Sequence, residues 1–121
     1  MGTFYICPTP IGNLNDISTR LVQVLSDVDI VYAEDTRVAK KLLSHLNQKK
    51  EVRSYFKGNE VKKIDEILNL LDNDKSIAMI SDAGTPLISD PGNTLVKKLI
   101  KSNVEIEKCS APNFSYSFIS L

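Results

Sequence analysis

The sequence has few of the residues that build metal sites and disulfide frameworks. It contains one histidine, His45, and two cysteines, Cys7 and Cys109, in 121 residues. No second ligand stands near either cysteine at the short spacing of a zinc site, and two distant cysteines do not form the framework of a disulfide-rich domain. We therefore predict two reduced structural thiols, a histidine on a helix surface and no bound metal.

Long apolar runs and an excess of charge are also missing. No segment approaches the roughly 20 apolar residues that span a bilayer, and the first residues lack the basic and apolar regions of a signal peptide. These absences predict a cytoplasmic protein with no membrane partner. Fifteen basic residues balance fifteen acidic ones, so composition alone does not indicate a nucleic-acid partner. For the paired lysines, solvated helix faces are favoured over an RNA-binding surface.

Two common nucleotide-binding motifs are absent as well. Pro8 and Pro10 stand where a dinucleotide-binding turn requires glycine, and no glycine is followed by the Gly-Lys-Ser/Thr of a phosphate-binding loop. A serine or cysteine nucleophile would have no histidine beside it in the loops described below. The sequence thus argues against dinucleotide oxidoreductases, loop-type nucleotide hydrolases and histidine-assisted hydrolases.

Apolar runs of strand length alternate with amphipathic helical patterns along the chain. This alternation predicts an α/β fold, a doubly wound and mostly parallel five-stranded sheet with helices on both faces. Helical spacing assigns Val38 and Val61 to the buried stripes of the second and third helices. Asn59 is the predicted N-cap of the third helix, and Asp16 or Ser18 that of the first. The predicted strands are residues 3–7, 29–33, 52–56, 76–80 and 104–107.

Four polar loops follow the first four predicted strands. Their glycines let the backbone approach a ligand, and their prolines keep the loops rigid. Ordinary turn chemistry explains any one of them. Because the carboxyl ends of parallel strands meet at one edge of a sheet, four such loops together favour a ligand site there. The loops are residues 8–13, 34–37, 57–60 and 82–92.

Three of these loops carry motifs in a recognisable order. They read Thr9-Pro10-Ile11-Gly12-Asn13-Leu14, then Ala33-Glu34-Asp35-Thr36-Arg37, then Ser81-Asp82-Ala83-Gly84-Thr85-Pro86 with Ser89-Asp90-Pro91-Gly92. With these motifs, the first 110 or so residues resemble the N-terminal domain of the ribosomal RNA small subunit methyltransferase I family, within the tetrapyrrole methylase superfamily. One departure is Ser110-Ala111-Pro112, where the family usually has Pro-Gly-Pro.

The resemblance implies an S-adenosylmethionine-dependent homodimer that methylates a cytidine ribose 2′-hydroxyl of small-subunit (16S) ribosomal RNA. It implies that residues 1–121 are the N-terminal domain, inactive or impaired without the C-terminal domain that would complete the donor cleft. Glu34, Asp35 and Arg37 match a family signature and are assigned to catalysis and substrate positioning. The donor-binding residues it implies are Pro10, Ile11, Asp82, Ala83, Gly84, Thr85 and Ile88.

The residues leave several choices open. Methylation of a hydroxyl invites a general base, and Glu34, Asp35 and Asp82 are the available carboxylates. Arg37 could bind an RNA phosphate or pair with a neighbouring carboxylate. Other functions in competition are methylation of a tetrapyrrole, a non-enzymatic receiver or metal-binding module with an acidic pocket, and a dimerisation scaffold.

Overall fold

A computed structural model describes residues 1–9, 17–56, 58–82 and 94–109 of the chain, with the backbone alone for Thr9 and Asp82. Within these ranges, strands and helices alternate as the sequence predicts. The strands are β1 (Thr3–Thr9), β2 (Ile30–Ala33), β3 (Glu51–Ser54), β4 (Ile77–Asp82) and β5 (Glu105–Lys108). The helices are α1 (Thr19–Asp27), α2 (Thr36–His45), α3 (Glu60–Asp72) and α4 (Thr94–Lys101).

The five strands form one sheet in the order β3-β2-β4-β1-β5, and every neighbouring pair is parallel. The connections from β1 to β2 and from β2 to β3 move toward the β3 edge, whereas the next two move toward the β5 edge. Because such crossovers are right-handed, opposite directions place their helices on opposite faces. The predicted doubly wound α/β fold is therefore confirmed.

Both faces of the sheet are buried under these helices. On one face, α1 and α2 cover Cys7, Val31 and Ala78. On the other, α3 and α4 cover Ile6, Tyr32 and further side chains of β1 and β4. Successive residues of a strand point to opposite faces, so a strand covered on both sides must be apolar throughout. This requirement explains the unbroken run from Ile77 to Ile80 at the centre of the sheet.

The helix ends show which capping predictions are right. Ser18 caps α1, because its hydroxyl oxygen accepts the Leu21 N–H at 3.1 Å. Asn59 occupies the predicted N-cap position of α3, but its side chain makes no capping bond to the helix, because its Oδ1 accepts the Phe56 N–H at 2.9 Å instead. Helices α2, α3 and α4 are each followed by a residue in the left-handed conformation, which ends the helical turn; these residues are Asn47, Asp74 and Asn103.

Two valines assigned to the core are exposed. Val38 in the first turn of α2 is 47% exposed, and Val61 in the first turn of α3 is 82% exposed. In α2 the inward position belongs to Ala39, which is completely buried and shares the spacing of Leu42 and Leu43. Both valines lie where their helices begin, at the edge from which β2 and β3 emerge, so the sheet does not cover them.

The two cysteines are free thiols that meet on one face of the sheet. Cys7 and Cys109 are both buried, and the Cys109 N–H donates to the Ile6 carbonyl at 2.8 Å, extending the pairing of β1 with β5. The pKa of Cys7 is raised by its hydrogen bond with Cys109 and by burial. His45 is exposed.

Within the described ranges, no three potential metal-ligating residues cluster together. None of the helices in those ranges has the length and apolarity that a membrane crossing requires.

Candidate functional site

The connection that leaves the central strand β4 runs to the opposite face of the sheet from the connections that leave its two neighbours, β2 and β1. The connections leaving β1 and β2 lead to helices on one face, and the connection leaving β4 leads to a helix on the other face. Neighbouring strands whose connections diverge in this way open a crevice beyond their carboxyl ends. The sheet therefore has two adjacent crevice positions, one between β2 and β4 and one between β4 and β1.

The strand register brings the starting points of three predicted loops to this edge. Thr9, where β1 ends, is the register partner of Asp82, where β4 ends. Ala33, where β2 ends, is the partner of Ile80 in the same strand. The points at which three loops leave the sheet thus lie side by side. In the part of the chain that the structure describes, the loops therefore start close together, as a shared ligand site requires.

A small cavity of about 50 Å³ opens between β2 and β4. Its apolar wall comes from the side chains of Ala33, Val38 and Ile80, and its polar rim from Glu34, Asp35 and Ser81. Ligand sites usually occupy several hundred cubic ångströms. The part of this cavity formed by the described residues can therefore hold only a fragment of a nucleoside-sized ligand.

Asp35 and Arg37 form a closed pair at the start of α2. Oδ1 of Asp35 accepts the backbone N–H of Arg37 at 3.0 Å, which caps the helix. The guanidinium donates to both carboxylate oxygens of Asp35, each at 3.2 Å. The Arg37 side chain first, and then its backbone N–H, lower the pKa of the Asp35 carboxyl. A carboxylate so engaged is a weak proton acceptor.

Glu34 differs from its neighbour. Its side chain is exposed on the rim of the cavity and makes no hydrogen bond or ion pair with the residues that the structure describes. Of the sequence-predicted trio, Glu34 and Asp35 line the rim and Arg37 follows in the first turn of α2, and the Glu34 carboxylate alone of these three charged groups has no partner among the described residues. The open question of whether Arg37 pairs with a carboxylate is answered by its bonds to Asp35, although its side chain remains 90% exposed.

The sequence pattern placed Val38 in the core and not at the cavity rim, and no pattern marked Tyr55 or Phe56 as part of this edge. Phe56 follows β3 and is 43% exposed, so Val38, Phe56 and Val61 present apolar surface at the same edge. Tyr55 is completely buried, and burial followed by the charge of Glu60 raises its pKa to about 12. Ala39 shares the helical spacing of Leu42 and Leu43. This spacing could have predicted that Ala39 faces the sheet and that Val38 lies at the rim.

The predicted donor-binding residues fall almost entirely outside the described ranges. For Asp82 the structure gives the backbone position at the end of β4 and no side chain. The others outside those ranges are Pro10, Ile11, Ala83, Gly84, Thr85 and Ile88.

Comparison with known proteins gives a consistent family assignment. A protein of Mycoplasmopsis pulmonis named Ribosomal RNA small subunit methyltransferase I is 42% identical over 98% of this chain and 54% of its own length. A protein of the same name in Buchnera aphidicola is 46% identical over 92% of this chain and 39% of its own length. Another in Thermotoga maritima is 41% identical over 100% of this chain and 54% of its own length. The chain spans about half the length of these curated relatives.

The sequence model of one family, described as Tetrapyrrole (Corrin/Porphyrin) Methylases, matches residues 3–115. That match covers the whole described sheet together with the loops of its carboxyl edge. This chain is a member of the tetrapyrrole methylase family.

Proposed function

We propose that this chain supplies the N-terminal half of an S-adenosylmethionine-dependent enzyme that methylates a cytidine ribose 2′-hydroxyl of small-subunit ribosomal RNA. The observation that carries the proposal is the register of Thr9 with Asp82, which sets side by side the two points where motif-bearing loops leave the sheet at a crevice. The names of the relatives favour ribosomal RNA over a tetrapyrrole as the substrate.

The residues at the edge suit such a methyl donor. S-adenosylmethionine supplies an electrophilic methyl group on a positively charged sulfur. Val38 and Ile80 offer apolar contact, while the rim carboxylate of Glu34 attracts positive charge. We assign the donor to the loops that contain Pro10, Ile11 and the segment 82–88, with Ala83, Gly84, Thr85 and Ile88 among its contacts.

The catalytic roles divide according to the contacts of each residue. In methyl transfer to a hydroxyl, an oxygen–carbon bond forms as the carbon–sulfur bond breaks, and the hydroxyl proton leaves to a base. Glu34 is the proposed base, because Asp35 is already bonded to Arg37 and caps α2. Asp35 and Arg37 are positioning residues that fix the first turn of α2 beside Glu34.

The exposed apolar side chains at this edge support a two-domain arrangement of the enzyme. Val38, Phe56 and Val61 are the kind of surface that a second domain or a large ligand buries. Together with the small cavity, they support the proposal that the complete donor cleft includes residues beyond those of this sheet. We propose the N-terminal half of a two-domain enzyme on this basis, and we propose from its family membership that the enzyme is a cytoplasmic homodimer.

Two measurements test the proposed function. Calorimetry with S-adenosylmethionine measures donor binding to the chain, and radiolabelled donor with small-subunit ribosomal RNA measures transfer by the chain together with its second domain. Nuclease digestion of the product is expected to release 2′-O-methylcytidine. Label on a base, or on a corrin or porphyrin precursor instead of RNA, would contradict the substrate assignment.

The Glu34→Gln variant tests the general base. We expect it to lower methyl transfer by about 100-fold or more, the usual contribution of a general base, whereas the loss of one exposed charge that attracts the donor weakens donor binding by about 5-fold or less. Asp65→Asn is the matched control, because it also removes one exposed carboxylate but lies on α3, away from the cavity rim. Equal activity of the two variants would remove Glu34 from the reaction.

A further inference from the structure

The outer surface of α2 and the segment that follows it carry a line of positive charge, of which the catalytic roles above use only Arg37. The segment 36–50 contains five of the chain's fifteen basic residues and none of its fifteen acidic ones. In a chain of zero net charge, this asymmetry creates a local field of one sign. The five are Arg37, Lys40, Lys41, Lys49 and Lys50.

The helix geometry aligns these charges on one side. Positions 37, 40, 41 and 44 are separated by three and four residues, so they share a helical face. All four are exposed, whereas Ala39, Leu42 and Leu43 face the sheet. The face begins with Arg37 in the first turn of α2, beside the cavity residues Asp35 and Val38, and continues for about 10 Å, the helical rise from position 37 to position 44.

At its far end the charged face meets a groove of about 490 Å³. Leu43 and Val52 contribute its apolar part, and every other residue that lines it is polar or basic. The groove is larger than the cavity at the carboxyl edge and holds no acidic side chain among its described lining residues. Those polar and basic residues are Lys40, Ser44, Asn47, Gln48, Lys49 and Lys50.

The lysines of this surface divide into engaged and available groups. The Nζ of Lys50 donates to the carbonyl oxygens of Ser26 and Val28, both at 2.8 Å, and so completes the C-terminal end of α1. Lys40, Lys41 and Lys49 form no ion pair within the described part of the chain. The available lysines are thus free to meet an external anion.

We propose that Lys40, Lys41 and Lys49, here named the α2 basic stripe, bind the phosphate backbone of the RNA that flanks the methylated nucleotide. The inference rests on the proposed function, because the reacting ribose would lie at the carboxyl edge where α2 begins. A polyanion leaving that edge along α2 meets successive positive charges and then a polar groove. The polar lining suits sugar and phosphate oxygens better than the apolar contacts of a protein interface.

The test measures binding of a short fluorescein-labelled single-stranded RNA to the chain by anisotropy at several salt concentrations. For single strands, each phosphate contact contributes about 0.7 to the slope of log affinity against log salt, which makes it worth about 5-fold at 0.1 M salt. The double variant Lys40→Gln/Lys49→Gln is therefore expected to bind about 25-fold more weakly at that salt, with a slope reduced by about 1.4. Lys50 is left intact because α1 depends on it.

The matched control is Lys62→Gln/Lys97→Gln, which removes the same charge from α3 and α4 on the opposite face of the sheet. These lysines are exposed too. We expect at most a 2-fold or so loss of RNA affinity in the control, since distant charges are screened by salt. Equal losses in the two double variants, or no detectable RNA binding by the unaltered chain, would overturn the α2 basic stripe as an RNA surface.

Two further measurements separate this proposal from the proposed function. Donor binding by calorimetry is expected to be the same in the stripe variant and the unaltered chain, so failure of donor binding in both would count against the enzyme and not the stripe. Polyaspartate is expected to compete with RNA poorly at equal charge. Competition as strong as that of unlabelled RNA would assign the stripe to an acidic protein and overturn the assignment to RNA.

Discussion

Tyr32 is the most direct place to test how the fold's buried polar contacts contribute to stability. Its ring is completely buried in the centre of the sheet, and its hydroxyl donates to the carboxylate of Glu66 on α3. Arg53 donates to the same carboxylate oxygen at 2.7 Å, and Lys63 lies 3.5 Å from the other oxygen. The Tyr32→Phe variant removes one donor from this carboxylate and leaves the packing of the ring unchanged.

The expected loss follows from the charge and exposure of Glu66. A hydrogen bond to a charged group contributes roughly 1.5–3 kcal/mol, but the Glu66 side chain is 33% exposed, so solvent screening reduces the value to about 1 kcal/mol. For a domain of this size, that loss lowers the melting temperature by about 4 °C. Tyr5→Phe is the control, because the Tyr5 hydroxyl makes no hydrogen bond with the described residues, and a change within about 0.5 kcal/mol is expected.

The effect of Tyr32→Phe is expected to depend on pH in a defined direction. Burial raises the pKa of Glu66, but hydrogen bonds from Tyr32 and Arg53 and the charge of Lys63 outweigh it, and the net shift is downward. A carboxyl with a lowered folded-state pKa stabilises the fold above its unfolded pKa and loses that contribution as pH falls through the folded value. Urea unfolding at about pH 7 and about pH 3 should therefore show the difference shrinking in acid. Equal effects of the two tyrosine variants at about pH 7 would refute the reasoning.

Two other predictions concern the chain start and the thiols. A Cβ added at Gly2 would lie 1.9 Å from the carbonyl oxygen of Lys75, so Gly2→Ala is expected to cost about 1–3 kcal/mol in urea unfolding; an unchanged midpoint would contradict the packing of Gly2 against that backbone. Cys7 and Cys109 are 0% and 2% exposed, so both thiols should react with Ellman's reagent only as the chain unfolds, and a thiol that reacts rapidly in the folded chain would contradict their burial.

The sheet could be predicted from the sequence because the spacing of apolar residues, and the alternation of strand and helix patterns, follow directly from which side chains are buried. Strands covered on both faces must be apolar throughout, and the predicted strands match the observed ones to within one or two residues at most ends. Helical spacing predicted burial wrongly where the first turn of a helix extends beyond the edge of the sheet. Val61 has the spacing of Ile64 and Ile67 and yet is exposed, because spacing does not show how far a helix projects.

The rim of the candidate site was predictable in place but not in detail. The rules of parallel sheets put Glu34, Asp35 and Arg37 at the carboxyl edge from the sequence alone. The bonds of Asp35 to Arg37 depend on the backbone turn at the start of α2, which the sequence does not display. The same holds for the basic groove, since it forms where the end of α2 and the segment before β3 come together.

The position of β4 has a consequence for how the molecule is made. β1 and β2 are not neighbours; each pairs with β4, whose residue Ile77 lies more than seventy positions after Phe4 and more than forty after Ile30. A nascent chain that ends before β4 therefore has no means of holding these two strands at their final separation. Because such distant pairings make a fold slow to form, we expect the crevice to be among the last features to arise. A molecule that binds in the crevice therefore binds only to chains in which the sheet is fully formed.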